Sequence, residues 1–406
     1  VPGALPVGEP VPPDGALPAA ARASVGARGF GVYVHVPFCL TRCGYCDFNT
    51  YTATELGGGV SRDSYTDLVL AELALARRVL DGAVPRVATV FVGGGTPTLL
   101  ATDDLARIID GIDAAFGLEP DAEITTEANP ESVDADSLRR LRNAGFTRIS
   151  LGMQSAAAHV LAVLDRHHTP GRAPQAALWA REAGFAHVNL DVIYGTPGET
   201  DEDWLHTLEV VTGAGVDHVS AYALIVEEGT RLAARIRRGE LPEPDDDVAA
   251  DRYLLAERVL TEAGLSWYEV SNWAASQEAR CRHNLLYWTG GDWWGVGPGA
   301  HSHIGGVRWW NVKHPAEYGR RLAAGRSPGQ GREILTDTER RTEEVMLRLR
   351  LADGLPVTVL DPAGQAAGER AVADGLLEAT AWRAGRAVLT LRGRLLADAV
   401  VRSLLP

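Results

Sequence analysis

The sequence predicts an α/β fold, a partial barrel of six strand–helix units carrying a smaller C-terminal unit. From Gly31 onward, short β-branched or apolar runs end in a polar residue, and each is followed by a helical stretch of roughly 10–16 residues. Strand alternating with helix implies parallel strands joined by right-handed crossovers, and in barrels of that kind chemistry gathers at the carboxyl ends of the strands. After Arg332 the alternation stops. With 46% hydrophobic and 23% charged residues over 406 positions, the composition is that of a globular chain, long enough for one large domain with an appendage.

Residues 1–28 are rich in Pro, Ala and Gly and lack the basic and apolar regions of a secretory signal, so they read as a disordered leader. The barrel is expected over 29–330, with strands at 32–36, 89–92, 123–126, 148–151, 187–193 and 218–224. No stretch approaches a membrane span, and a net charge of −14 repels a phosphate backbone. A cytoplasmic protein that binds no nucleic acid is the expectation. The single lysine, Lys313, follows no glycine-rich loop, which excludes a Walker P-loop.

The first strand leads into Cys39-Leu40-Thr41-Arg42-Cys43-Gly44-Tyr45-Cys46, and only one further cysteine, Cys281, occurs in the chain. Soft thiolates at this density select zinc, copper(I) or an iron–sulfur cluster, and three cysteines on a four-iron cubane leave one iron free for a ligand. Zinc stays open because His35 lies four residues before Cys39. The second strand ends in Gly93-Gly94-Gly95-Thr96-Pro97-Thr98, where missing Cβ atoms let the backbone approach a ligand or simply form a tight turn. The third ends at Glu127, the fourth at Gln154, and the fifth carries Asp191. Ligand-grade polar groups at successive strand ends, where a packed barrel would prefer apolar filling, argue for a site.

These residues together resemble the coproporphyrinogen III oxidase-like family of radical S-adenosylmethionine (SAM) proteins. Cys39 to Phe48, with the distal His283-Asn284-Leu285-Leu286-Tyr287-Trp288, resembles its heme chaperone subfamily. The similarity runs from about Gly31 to the C-terminus and implies a partial (β/α)6 radical SAM barrel. By position it puts Cys39, Cys43 and Cys46 on a [4Fe-4S] cluster and Tyr45 near the adenine of SAM. Gly94, Gly95 and Thr96 fall on the methionine end, Glu127, Gln154, Arg166 and Asp191 around SAM, and Tyr33 and Ala223 on the pocket walls. Arg166 and Tyr33 also have plain readings, as a surface arginine and a core tyrosine. The resemblance assigns heme to His283, Asn284, Tyr287 and Trp288, and no catalytic residue is assigned.

Two departures separate the chain from the oxidase. Cys46 is followed by Asp47 and Phe48 where the oxidase carries a further cysteine, and the oxidase's substrate-gripping N-terminal segment has no counterpart in the leader. The expectation is therefore a chaperone that passes heme to acceptor hemoproteins. The alternative is an oxygen-independent coproporphyrinogen III oxidase, and a homodimer is left open.

Residues 267–310 hold seven of the ten tryptophans together with Cys281, His283, His301 and His303. Such a segment suits a flat apolar ligand with a metal to be ligated, or else a lid that covers the core. His301 lies in a glycine-rich turn able to close over the SAM site. In the C-terminal unit, 331–406, a helix over 337–351, a loop, a second helix, a short hairpin near 382–391 and a last helix to Leu405 resemble a winged helix. Arginines and acidic residues are equal over 332–406, 11 of each. With no net positive field, partner docking or packing is expected there and not DNA binding.

Overall fold

In the computed structural model, residues 8–55, 60–82 and 85–405 are described. Six parallel strands run side by side in chain order: β1 (Phe30–Val36), β2 (Val87–Gly94), β3 (Leu118–Ala128), β4 (Arg148–Gln154), β5 (His187–Tyr194) and β6 (His218–Ala223). All the predicted strands are present. β6 does not return to β1, so the barrel is open, and further strands lengthen the sheet at both ends. Beyond β6 lie the antiparallel β7 (Ser266–Glu269) and β8 (Asn272–Ala274). Beyond β1 lie β9 (Asp292–Val296), parallel to it, then the antiparallel β10 (His301–Ile304), β11 (Val307–Asn311) and β12 (Gly329–Ile334). The tryptophan-rich segment thus extends the sheet.

Alternation along each strand sets the two faces. Val32, Val34 and Val36 of β1, Val90 and Val92 of β2, and Leu190 and Val192 of β5 have no accessible surface and pack with the surrounding helices. Each such side chain contributes about 1.5–3 kcal/mol relative to exposure. The residues between them (Tyr33 and His35, Thr89 and Phe91, Asn189 and Asp191) point into the lumen, where polar groups dominate. The helices start where the sequence caps them: Ser61 with Ser64 opens Arg62–Leu80, Asp134 with Ser137 opens Ala135–Asn143, and Thr200 with Asp203 opens Asp201–Gly213.

The leader departs from its expectation. Residues 1–7 lie outside the described residues, but the chain from Gly8 is ordered, with a helix at Ala19–Ser24. Glu9 and Arg332 exchange backbone hydrogen bonds of 2.9 Å each, Ser327 N–H donates to the Pro13 carbonyl at 2.7 Å, and Leu17 and Ala21 are buried. The reason is tertiary. β12 is a sheet edge with unpaired backbone groups, and the Pro- and Ala-rich segment covers it.

β12 carries the main sheet to Ile334, so the C-terminal unit begins at the helix Asp337–Arg348. Its own core is formed by Val345, Leu349, Leu355, Leu377, Leu389, Val400 and Leu404. No local hairpin forms at 382–391. Ala379–Arg383 is helical and Arg386–Ala387 pairs with Leu355–Pro356 instead, because the short apolar run finds its partner across the unit. The unit docks through Arg394, whose guanidinium lies 4.2 Å from the centroid of the Trp267 ring and 3.0 Å from Glu257. Among the described residues no helix is long and apolar enough to cross a membrane.

Candidate functional site

The cysteine loop is tied at its neck. Cys39 N–H donates to the Tyr51 carbonyl at 3.1 Å and Tyr51 N–H to the Pro37 carbonyl at 2.7 Å. Cys46 N–H reaches the Cys43 carbonyl at 3.3 Å, and Gly44 is held between Leu164 and Leu232 by bonds of 3.0 and 2.8 Å. All three thiols are half-buried. Burial raises Cys39 and Cys46, Cys46 to about 11, and neighbouring cysteine charges add to both shifts. Among the described residues no three His, Cys, Asp or Glu side chains stand in a finished metal-ligating arrangement. What the loop supplies is three soft donors whose ionised forms repel one another until a cation neutralises them, which is the donor chemistry of an iron–sulfur cluster.

His35 is not free to complete a zinc site. Its Nε2 is 2.9 Å from the Asn49 carbonyl oxygen and its Nδ1 is 2.9 Å from the Tyr33 hydroxyl. The glycine run packs directly under the loop. Gly95 N–H donates to the Val36 carbonyl and Thr96 N–H to the Phe38 carbonyl, both at 2.8 Å. A Cβ at Gly95 would stand 2.4 Å from the Phe38 oxygen and 2.9 Å from Cys39 Sγ, so only glycine fits.

Next to it, Gly94 N–H donates to Glu127 Oε2 at 2.9 Å. Burial, reinforced by the charge of Asp191, pushes Glu127 up to about 8, and burial also raises Asp191. Asp191 accepts from Ser150 Oγ at 2.7 Å and from Asn189 Nδ2 at 2.8 Å. Two buried carboxylates facing one lumen suit a ligand carrying ammonium and sulfonium charge. Gln154 closes β4 with φ of 70°, beside a register shift against β5. Arg166 donates to the Gly152 carbonyl at 2.9 Å and approaches Cys43 Sγ at 3.5 Å, so it bridges the strand ends and the cysteine loop. Tyr45 packs toward the cluster around Leu224 and Leu232, and Ala223 is exposed at the end of β6 opposite Tyr194. The strand-end residues thus meet at one mouth.

Sequence reasoning missed the polar column beneath them. Asn189 donates to Ser150 Oγ at 2.7 Å and Ser220 Oγ at 3.0 Å, His218 bridges Asn189 and Tyr268 at 2.7 Å each, and Arg148 meets Glu123 at 3.0 Å. The period-two polar spacing Arg148-x-Ser150, Asn189-x-Asp191 and His218-x-Ser220 was the available signal.

The distal motif forms the floor of this lumen. His283 is buried, its Nδ1 lies 2.8 Å from Thr89 Oγ1 and its Nε2 2.8 Å from the Tyr287 hydroxyl, and its ring stacks on Phe91 at 5.3 Å. Burial lowers it to about 3. Both nitrogens are committed, so the free axial nitrogen expected at His283 is not what this arrangement offers. Asn284 and Trp288 lie beside the buried Glu269, which burial pushes up to about 7 while these neighbours hold it down. Tyr287 reaches the lumen half-buried, edge-on to Trp293 at 4.6 Å. Cys281 is buried with its Sγ 3.6 Å from Glu123, far down the floor from the trio. His301 is exposed on the lumen side of β10.

Residues 33–211 match the radical SAM superfamily model. The heme chaperone HemW of Mycobacterium tuberculosis is 56% identical over 383 residues, 94% of this chain and 96% of its own length. HemW of Escherichia coli K12 is 36% identical, covering 80% of this chain and 83% of its own. The structure of Escherichia coli coproporphyrinogen III oxidase (HemN) superimposes with a TM-score of 0.80 over 95% of this chain and 92% of that one. At 24% identity it establishes the fold alone. A glycine-cradled cysteine trio above a polar lumen, in a chain so similar to these relatives over nearly its whole length, places it in the HemW family of the radical SAM superfamily.

Proposed function

We propose that the chain is a heme chaperone that binds a [4Fe-4S] cluster, SAM and heme and passes heme to acceptor hemoproteins in the cytoplasm. The observation that carries this is the 56% identity to a heme chaperone over 94% of the chain. Cys39, Cys43 and Cys46 would hold the cluster. Gly94, Gly95 and Thr96 would meet the methionine end of SAM, with Glu127, Gln154, Arg166 and Asp191 around it. Tyr33, Tyr45 and Ala223 would form the walls. Asn284, Tyr287 and Trp288 would shape the lumen below heme, with His283 bracing that floor. The C-terminal unit, winged-helix-like in element order, would serve as the acceptor-docking module. The deciding experiment is a heme titration of anaerobically reconstituted protein beside a coproporphyrinogen III assay with SAM and reductant. Heme binding without turnover is expected, and multiple-turnover decarboxylation would overturn the chaperone reading in favour of the oxidase.

The carboxylates support a second expectation. Asp191→Ala should weaken SAM binding in equilibrium dialysis while iron content stays at the wild-type level. A cationic ligand favours ionised Glu127, so SAM binding releases the proton that burial retains up to about pH 8. Affinity is thus expected to rise by up to about tenfold per unit between pH 6 and 8 and to level off above. Glu127→Gln should flatten that profile. A flat wild-type profile would remove Glu127 from the site.

A further inference from the structure

We propose that His301, flanked by Trp293 and Lys313, supplies the axial nitrogen that holds heme at the mouth of the lumen. The inference rests on the heme chaperone reading and names the residues that carry it. A heme iron requires an imidazole nitrogen whose lone pair is not already engaged. His35, His218 and His283 each have both ring nitrogens in hydrogen-bonding contacts, and His303 is buried with its Nδ1 2.9 Å from the Gly291 carbonyl oxygen. His301 differs. It is exposed, and among the described residues neither of its ring nitrogens has a hydrogen-bond partner.

The surroundings hold this imidazole in place without blocking its edge. His301 pairs with Trp310 across β10 and β11, and the two rings stack with centroids 6.0 Å apart at 30°. Trp310 is itself fixed, because Gly331 lies beneath it where a Cβ would come within 2.7 Å of the indole. The His301 carbonyl accepts from Trp293 Nε1 at 2.9 Å, and Gly295 is obligatory, since a Cβ there would stand 2.0 Å from that oxygen. Gly295 is in register with Tyr33 of β1, which puts the hairpin beside the lumen wall.

The other parts of an iron porphyrin find matching chemistry. The half-buried Trp293 ring offers a flat apolar wall that runs down to Tyr287. Lys313, the only lysine in the chain, is exposed and follows three residues after Trp310, the cross-strand partner of His301. Among the described residues its ammonium makes no ion pair, so it is available to a propionate. Arg308, the other nearby cation, is already paired to Glu333 at 2.7 Å and to Glu343. The Lys313 carbonyl accepts from Asn49 Nδ2 at 2.8 Å and from the Tyr51 hydroxyl at 3.1 Å, so heme bound here would sit beside the cysteine loop.

The test titrates hemin into the full chain with its cluster reconstituted, following the Soret band and iron content. His301→Ala is expected to weaken binding about tenfold or more and to shift the Soret maximum, with cluster iron unchanged. His301→Gly should behave likewise and regain the wild-type spectrum when imidazole is added. Lys313→Gln should weaken binding about threefold without moving the Soret maximum. Wild-type affinity and spectrum in His301→Ala would overturn the site while leaving the chaperone reading intact, and so would a His301→Gly protein that imidazole does not restore. A wild-type chain that takes up no hemin would overturn both.

Discussion

Cys39→Ala is expected to empty the cluster site, taking iron and sulfide from roughly four of each per chain to near zero after anaerobic reconstitution and desalting. Two remaining thiolates are too few to retain a cubane, and Gly95 beside the Cys39 sulfur brings in no substitute donor. The fold should persist, since Cys39 is only half-buried and the neck of the loop is closed by backbone bonds between Cys39 and Tyr51 and between Tyr51 and Pro37. Cys281→Ala is the matched control. Its thiol is buried on the lumen floor against Glu123, and its loss should leave iron content unchanged. Full iron and sulfide in Cys39→Ala would show that the trio does not carry the cluster.

The largest expected effect on stability is at the base of the barrel. Arg148→Met should destabilise the protein by about 3–5 kcal/mol, read as a lower denaturation midpoint with the cluster-free chain as reference. Arg148 is only 2% exposed and serves three acceptors at once: Glu123 on β3 at 3.0 Å, and the carbonyls of Ala279 and Arg280 at 2.7 and 3.1 Å ahead of the helix Arg282–Trp288. Its removal leaves Glu123 buried, still bound by His283 N–H at 3.1 Å but with its main counter-charge gone. Changing Glu123 to Gln in the same chain should recover part of the loss, because the stranded charge is then absent. An Arg148→Met protein as stable as wild type would mean that the pair contributes nothing net.

By itself the sequence determined the six strands, their parallel order and the place of the cysteine loop after the first of them, because strand periodicity, Gly punctuation and cysteine spacing are local signals. It also pointed to the lumen residues: Glu127 and Gln154 end their runs and Asp191 lies within the fifth by counting along the chain, and resemblance added Arg166. The ordered leader was not legible, because Pro- and Ala-rich residues carry no periodicity and are fixed by groups more than two hundred and sixty positions away, the edge of β12 and Asp292 of β9 among them. The same holds for the C-terminal pairing of Leu355–Pro356 with Arg386–Ala387. What only the tertiary structure decided is the state of each histidine. In the sequence the resemblance favours His283 over His301 as a heme ligand, yet burial against Thr89, Phe91 and Tyr287 commits both nitrogens of the first, while stacking on Trp310 leaves the edge of the second free. Whether a nitrogen can bind iron depends on which groups surround it, and those groups come from β2, β9 and β11, brought together only when the sheet forms.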